Sequence, residues 1–344
     1  MSAARIHCFT SISYLYLDRA RVMAETVRRH HPDWTLWLLL SDDEPPGFTV
    51  DPRLPDFDHV VRTTQLIEPC DRSWIFEHDV VELCTAVKGP MLHRLLPDGD
   101  AVIYLDPDVA LFAPLTEVVA LLDRHSIILT PHVLSPEPDY ETVPHNEIGS
   151  LRHGTYNLGF IAVRNRAEGR RFASWWRDRL LRFCHDDVMR GPFVDQKWCD
   201  LVPALFEDVH ILRDPGYNVA SWNIATRPLE FTADGAILAG GQPLRFFHFT
   251  KLNSIGEAAL GRFTGGRPEV FELVRWYRER LAANAPAGLP DGWWAYGMYA
   301  DGSAIPRSHR LAWRADSGLA ARFADPFASG PGTFQEWCAN ADLR

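Results

Sequence analysis

The chain has 344 residues, 46% hydrophobic and 23% charged, enough apolar material for one large α/β domain with an appendage or for two domains, globular throughout. A formal charge of −10 argues against a nucleic-acid backbone or an anionic membrane as the main partner, and Arg307, Arg310, Arg314 and Arg322 read as a solvated face. The cysteines at 8, 70, 84, 184, 199 and 338 form no Cys-X-X-Cys pair, no apolar signal region leads the chain and no apolar run could span a bilayer, so the expectation is a reduced, cytoplasmic protein without zinc or a disulfide framework.

Residues 5–9 read as a short strand and 18–30 as a helix whose Ala20, Met23, Ala24 and Val27 share one face, with Asp18 as its cap. A fully buried strand at 35–40 completes a βαβ unit and indicates a mainly parallel sheet, in which ligands sit outside the carboxyl ends of the strands. Thr10, Ser11 and Ser13 fall at such an end, either as a nucleotide contact or as a plain polar loop. No Gly-X-Gly-X-X-Gly follows this strand and no Gly-X-X-X-X-Gly-Lys-Ser/Thr occurs, which removes the main signatures of a dinucleotide oxidoreductase and of a P-loop ATPase. After a Pro- and Asp-rich stretch with a weak strand at 59–62, residues 74–96 read as a helix interrupted at Gly89 and Pro90. Lys88, just before that break, is either an exposed helical lysine or a group within reach of phosphate.

The stretch 101–112, AVIYLDPDVALF, organises the rest. Ala-Val-Ile-Tyr-Leu is a short buried strand that ends abruptly in Asp106, Pro107 and Asp108. Residues i and i+2 of an extended backbone point to one side and Pro107 fixes φ between the acids, so both carboxylates face one place. Oxygen ligands at an open edge, with room for water and phosphate oxygens, suit Mg²⁺ or Mn²⁺; the alternative is turn chemistry closing a strand.

A helix at 115–122 and a buried strand at 126–130 follow, then a Pro- and His-rich loop over 131–153 of the kind that serves as a lid or binding loop. Tyr156-Asn157-Leu158-Gly159 leads into a strand, and 167–185 reads as a long amphipathic helix. Asp195 and Gln196 sit in the first turn of a helix running to Phe206, where an Asp is often just an N-cap. Short strands and turns at 209–212, 216–223 and 236–238 surround a loop carrying Asn218 and Asn223. His248 lies between aromatics near a strand end, either a satisfied core histidine or a ligand, and Lys251 follows it. A helix at 268–283 and a tail from Gly288 rich in Gly, Pro, Trp and Arg complete a chain without internal repeats.

Taken in order, these stretches resemble the GT-A glycosyltransferases, and within them the retaining, family 8-like group that includes glycogenin and the bacterial lipooligosaccharide galactosyltransferases. The resemblance spans roughly residues 5–251. It rests on the turn at Thr10 to Ser13, Lys88 upstream of Tyr104-Leu105-Asp106-Pro107-Asp108, Tyr156-Asn157-Leu158-Gly159, Asp195-Gln196 and His248-Phe249. The tail pattern Tyr296-Gly297-Met298-Tyr299, Phe323-Ala324-Asp325-Pro326-Phe327 and Trp337 is similar to that of bacterial surface-polysaccharide glycosyltransferases.

The resemblance implies a GT-A fold, α/β and Rossmann-like with a mainly parallel central sheet and flanking helices, over 1–265, with a C-terminal helical and irregular extension over 266–344 packed on it. It implies a metal-dependent hexosyltransferase that moves a sugar from a nucleotide diphosphate sugar, UDP-sugar favoured, to a glycan or lipid-linked acceptor. Retention, bacterial surface polysaccharide assembly, no nucleic-acid partner, no transmembrane segment and room for peripheral membrane contact belong to the same expectation. Asp106, Asp108 and His248 are then the Mn²⁺ or Mg²⁺ ligands, and Thr10, Ser11, Ser13, Lys88, Tyr104, Asp106 and Lys251 the donor-binding set. Asn157, Asp195 and Gln196 line the sugar and acceptor pocket as the catalytic set. The chain departs from the family after His-Phe, where Thr250-Lys251-Leu252-Asn253 replaces Gly and a Lys-Pro-Trp element, and after Thr130, where Pro131 and His132 stand in place of an acid. Two other classes stay open. A nucleotidyltransferase would carry a Gly- and Arg/Lys-rich phosphate loop that 10–17 lacks, and a non-catalytic carbohydrate-binding or assembly protein would have little use for both acids and His248.

Overall fold

The computed structural model describes residues 4–53, 56–67, 71–137, 139–252 and 255–343; Cys70 and Asn253 lie outside them. Strands β1 (Ile6–Ile12), β2 (Thr35–Leu40), β3 (His59–Arg62), β4 (Ala101–Leu105), β5 (Val109–Leu111), β6 (Ile127–Pro131), β7 (Tyr156–Arg164) and β8 (Val209–Ile211) come first in the chain. They are followed by β9 (Leu229–Phe231), β10 (Ile237–Ala239), β11 (Gln242–Pro243) and β12 (Phe246–His248). Seven strands form one sheet in the order β3-β2-β1-β4-β7-β6-β8, with only β7 antiparallel to its neighbours. The expected α/β architecture with a mainly parallel sheet is therefore present. The chain steps outward from β1 to β2 on one side and later to β4 on the other, which opens a crevice at the carboxyl ends of β1 and β4.

Helices cover both faces of the sheet, which is why its strands are apolar on both sides rather than alternating. Cys8, Ile12, Leu36, Leu38 and Ile103 pack with the helix Leu17–His30 on one face. Phe9, Leu39, Val102 and Tyr104 pack with the helices Lys88–Leu95 and Ala167–Phe183 on the other.

Several local expectations shift. β1 runs past residue 9, so Thr10 and Ser11 lie within the strand, paired with Leu38 and Leu39. Asp18 sits inside the first turn of its helix, where it accepts from the Arg19 N–H, and is not the cap. The 74–96 region is three helices, Arg72–Phe76, Val80–Ala86 and Lys88–Leu95. Asp79 caps the second in a reciprocal box with Glu82, while Gly89 and Pro90 fall in the first turn of the third, where a missing N–H costs no helical bond. The 131–153 loop contains the helix Val143–His153. The stretch after Asp195 is a 3₁₀ helix, Lys197–Leu201, followed by the short helix Val202–Leu205, not one continuous helix.

Two further features position the site. β5 and β12 form an antiparallel ribbon in which His248 pairs with Val109, so a histidine far along the chain lands beside Asp108. The tail helices Arg307–Ala315, Gly318–Arg322 and Phe334–Asn340 gather Trp313, Leu319, Phe327 and Phe334 against Phe76 and Leu83. Arg310 is 2% exposed, so the expected solvated arginine face is in part an internal contact.

Candidate active site

A cavity of about 660 Å³ opens at the carboxyl ends of β1 and β4. Asp106, Asp108 and His248 meet in its wall: His248 Nε2 lies 3.0 Å from Asp108 Oδ1 and 3.6 Å from Asp106 Oδ2. One ligand atom from each lies within 4.8 Å of the others, and this is the group of His, Cys, Asp and Glu side chains able to hold a metal ion among the described residues. Two carboxylate oxygens and an imidazole nitrogen form a donor set that suits a hard or borderline divalent cation.

Gly159 explains how His248 fits there. A Cβ at 159 would lie 2.5 Å from His248 Cε1 and 2.6 Å from Nδ1, so the ring rests directly on the glycine backbone. Burial works against the charged imidazole, but the Asp108 carboxylate outweighs it and raises the pKa of His248. Burial likewise pushes the Asp108 carboxyl up, and its pairing with His248 more than reverses that. A cation bound between them would take over the role of that proton.

Lys88 is not the exposed helical lysine of the simplest reading. It is 3% exposed, and Nζ stands 3.1 Å from Asp106 Oδ1, 3.0 Å from Asp195 Oδ2 and 4.2 Å from the Tyr104 ring centroid. Burial alone would lower its pKa, but Asp106 and Asp195 overcome that and raise it, keeping the ammonium charged. The Tyr104 hydroxyl also donates to Asp106 Oδ1, so this carboxylate is held from two sides. Asp195 follows Val194, a buried residue in left-handed backbone at φ +40°, and its side chain serves the ion pair rather than capping a helix.

Asn157 and Gln196 line the cavity, but their polar atoms are engaged in its frame. Asn157 Oδ1 accepts from the Gly159 N–H and from Asn218 Nδ2, both at 3.0 Å, and its Nδ2 donates to His132 Nε2 at 3.1 Å. Gln196 Oε1 accepts from the Leu158 N–H and Nε2 donates to the His153 carbonyl. Ser11, Ser13, Tyr104 and Lys251 also face the cavity, whereas Thr10, fully buried in β1, does not line it.

Sequence reasoning marks 131–153 only as a lid or binding loop; it does not single out His132 or the helix Val143–His153 within that stretch, and it misses Trp222, all of which form parts of the wall. Burial lowers the His132 pKa to about 4, and with Nε2 accepting from Asn157 the ring is neutral. Trp222 stands edge-on to His132 and His248 at 5.4 and 5.3 Å. The replacement of an acid by Pro131-His132 was the available signal for the histidine; a lone tryptophan in a turn offered none.

No protein-family model matches the chain. It is 30% identical over 193 residues to the uncharacterized protein YfnF of Bacillus subtilis (strain 168), a match covering 52% of this chain and 60% of that protein's length. It is 24% identical over 260 residues to YfnD of the same organism, covering 73% of this chain and 79% of YfnD. Among solved structures it is similar to the galactosyltransferase LgtC, solved with donor and acceptor sugar analogues, at 14% identity over 84% of this chain and 98% of that one, with a TM-score of 0.46. It is also similar to the glycosyltransferase GlyE of Streptococcus pneumoniae TIGR4, at 15% identity over 81% of this chain and 64% of that one, with a TM-score of 0.44. What this site does is read from its own side chains.

Proposed function

We propose that the chain is a divalent-cation-dependent glycosyltransferase that moves a sugar from a nucleotide diphosphate sugar to a hydroxyl acceptor. The observation that carries this reading is the convergence of Asp106, Asp108 and His248, from two distant segments, on the wall of a sheet-end cavity of small-molecule size. Mn²⁺ or Mg²⁺ held by these three residues supplies, when bound, positive charge opposite the leaving diphosphate.

The chain's own groups account for the rest. Ser11 Oγ is buried at the cavity wall without a partner among the described residues, so a nucleotide hydrogen bond would satisfy it, and Ser13 stands beside it. Tyr104 orients Asp106, and Lys251 at the cavity edge is the lysine for the diphosphate. Lys88, engaged by both carboxylates, aligns Asp106 and Asp195 for the donor. Asp195 faces the sugar, while Asn157 and Gln196 hold the wall around it. No side chain in this set is arranged as an isolated strong base, which suits retention with the acceptor hydroxyl attacking from the leaving-group side.

A UDP-sugar donor, a glycan or lipid-linked acceptor, bacterial surface polysaccharide assembly and a cytoplasmic place with peripheral membrane contact complete the proposal. They are supported by the motif resemblance; no helix among the described residues is long and apolar enough to cross a membrane. The division into a transferase region at 1–265 and an extension at 266–344 belongs to it as well.

Thermal shifts against a panel of nucleotide sugars, with and without Mn²⁺, test the reading, since a ligand that binds only the folded form raises its stability. Selective stabilisation by one nucleotide diphosphate sugar, present with Mn²⁺ and abolished by EDTA, is expected. Full transferase activity in excess EDTA would overturn the metal dependence.

A further inference from the structure

Three arginines at 307, 310 and 314 share one face of the helix Arg307–Ala315, and together they hold a segment that leads into the cavity. Arg310 donates to the carbonyls of Phe76 (2.9 Å), His78 (2.7 Å) and Tyr296 (2.5 Å). Arg314 Nε donates to the Glu77 carbonyl at 2.7 Å, and its Nη2 pairs with Glu82. Arg307 reaches Asp79 Oδ2 at 3.1 Å and the Asp186 carbonyl at 2.7 Å.

Glu82 is the junction. It is 1% exposed; besides Arg314 it accepts from the Asp79 N–H at 3.0 Å and the Asp186 N–H at 2.9 Å. From Glu82 the helix Val80–Ala86 runs directly into the helix that begins at Lys88, exposing Cys84 and Thr85 to the cavity on the way. From Asp186 a hairpin, closed by the bridge between Asp186 and Phe193, runs to Asp195. The two paths meet again where Lys88 and Asp195 pair at 3.0 Å. The result is a closed ring of chain with one buried contact at each end, and the tail helix grips the Glu82 end, next to the cavity-lining Val80 and Val81.

We infer that the tail helix is a positioning element for the transfer reaction, and that Arg314 is a positioning residue that sets the Lys88–Asp195 pair through Glu82 and Asp186. This rests on the glycosyltransferase reading for its kinetic consequence. A shift at the Glu82 end is carried along the short helix on one side and the short hairpin on the other, both of which end in the paired side chains. The tail therefore contributes to turnover without touching the cavity.

The test uses the full chain and a double-mutant cycle. Arg314→Met is expected to lower kcat about 10- to 100-fold, the scale of a small misplacement transmitted to reacting groups, with donor KM and Mn²⁺-dependent nucleotide binding unchanged. Arg314→Lys restores most of the loss by keeping a cation beside Glu82. Combined with Asp195→Asn, Arg314→Met adds no further loss, because the pair it positions is already broken. Asp325→Asn, which removes the separate tail contact to Arg72, leaves kcat unchanged. Wild-type kcat in Arg314→Met, additive losses in the cycle, or an equal loss in Asp325→Asn overturns the inference. Should Arg314→Met fail to fold, Arg307→Gln takes its place in the cycle, with the same outcomes supporting or overturning the inference. If the wild type turns over no donor, the glycosyltransferase reading falls separately, and the ring is judged on unfolding: coupled destabilisation by Arg314→Met and Lys88→Met supports it, additive destabilisation refutes it.

Discussion

Lys88 Nζ and Asp195 Oδ2 stand 3.0 Å apart, with both side chains almost wholly buried at 4% and 3% exposure. The lysine has a second carboxylate, Asp106 at 3.1 Å, whereas the cation that balances Asp195 is Lys88 itself. The two halves of the pair should thus respond unequally to mutation. Lys88→Met strands the Asp195 carboxylate and is expected to cost about 3–5 kcal/mol, the scale for breaking a buried pair by removing one partner. Asp195→Asn leaves Lys88 with Asp106, so the fold should lose less while turnover falls sharply. Urea unfolding of both variants checks the asymmetry; equal destabilisation would contradict it.

Gly159→Ala should disturb the metal site without changing any ligand. The added Cβ would lie 2.5 Å from His248 Cε1, and the ring would have to leave its place beside Asp108. Overpacking of this kind costs about 1–3 kcal/mol in stability. Calorimetric titration of Mn²⁺ should show clearly weakened binding in the folded variant, and wild-type affinity would mean that His248 is not held by this contact.

His248→Ala separates a ligand from a core histidine. A ligand role predicts loss of the gain in nucleotide affinity that Mn²⁺ brings. A packing role predicts lower stability from the cavity, with that gain intact in the remaining folded protein. Titrating nucleotide into each protein with and without Mn²⁺ distinguishes the two.

Stability should fall on acidification, in part through His31. Its Nε2 accepts the Leu115 N–H at 2.8 Å and its ring stacks on Trp34, and burial lowers its pKa from 6.5 to about 4. The unfolded chain binds this proton first, so the contribution is complete above about pH 6.5. It is lost as pH falls toward 4, at up to about 1.4 kcal/mol per pH unit. His78, His132 and His185 are lowered as well and act in the same direction. His31→Gln should therefore show a shallower loss of urea midpoint between pH 7 and 5 than the wild type; parallel curves would rule this account out.

The βαβ start, the strand at 101–105 and the pair of acids behind it are legible in the sequence because a strand's apolar run and its two-residue side-chain period are local properties. Such periodicity states which residues leave water, and for β2, β3 and β4 it locates the strand ends correctly. It does not state what the buried groups meet. In the sequence Lys88 is either an exposed helical lysine or a group within reach of phosphate; its burial between Asp106 and Asp195 emerges only when the helix Lys88–Leu95 is packed on the helix Ala167–Phe183 and Asp195 is brought to it. In the sequence His248 is tied to the acids only through the resemblance of motifs; its physical approach depends on the β5–β12 register and on the space left by Gly159. The tail arginines look solvated in one dimension, yet Arg310 is buried because three backbone carbonyls from two separate segments converge where its guanidinium ends. Long-range register and the meeting of distant polar groups are set by the whole packed chain, so the chemistry's residue types could be read from the sequence while their partners could be read only from the fold.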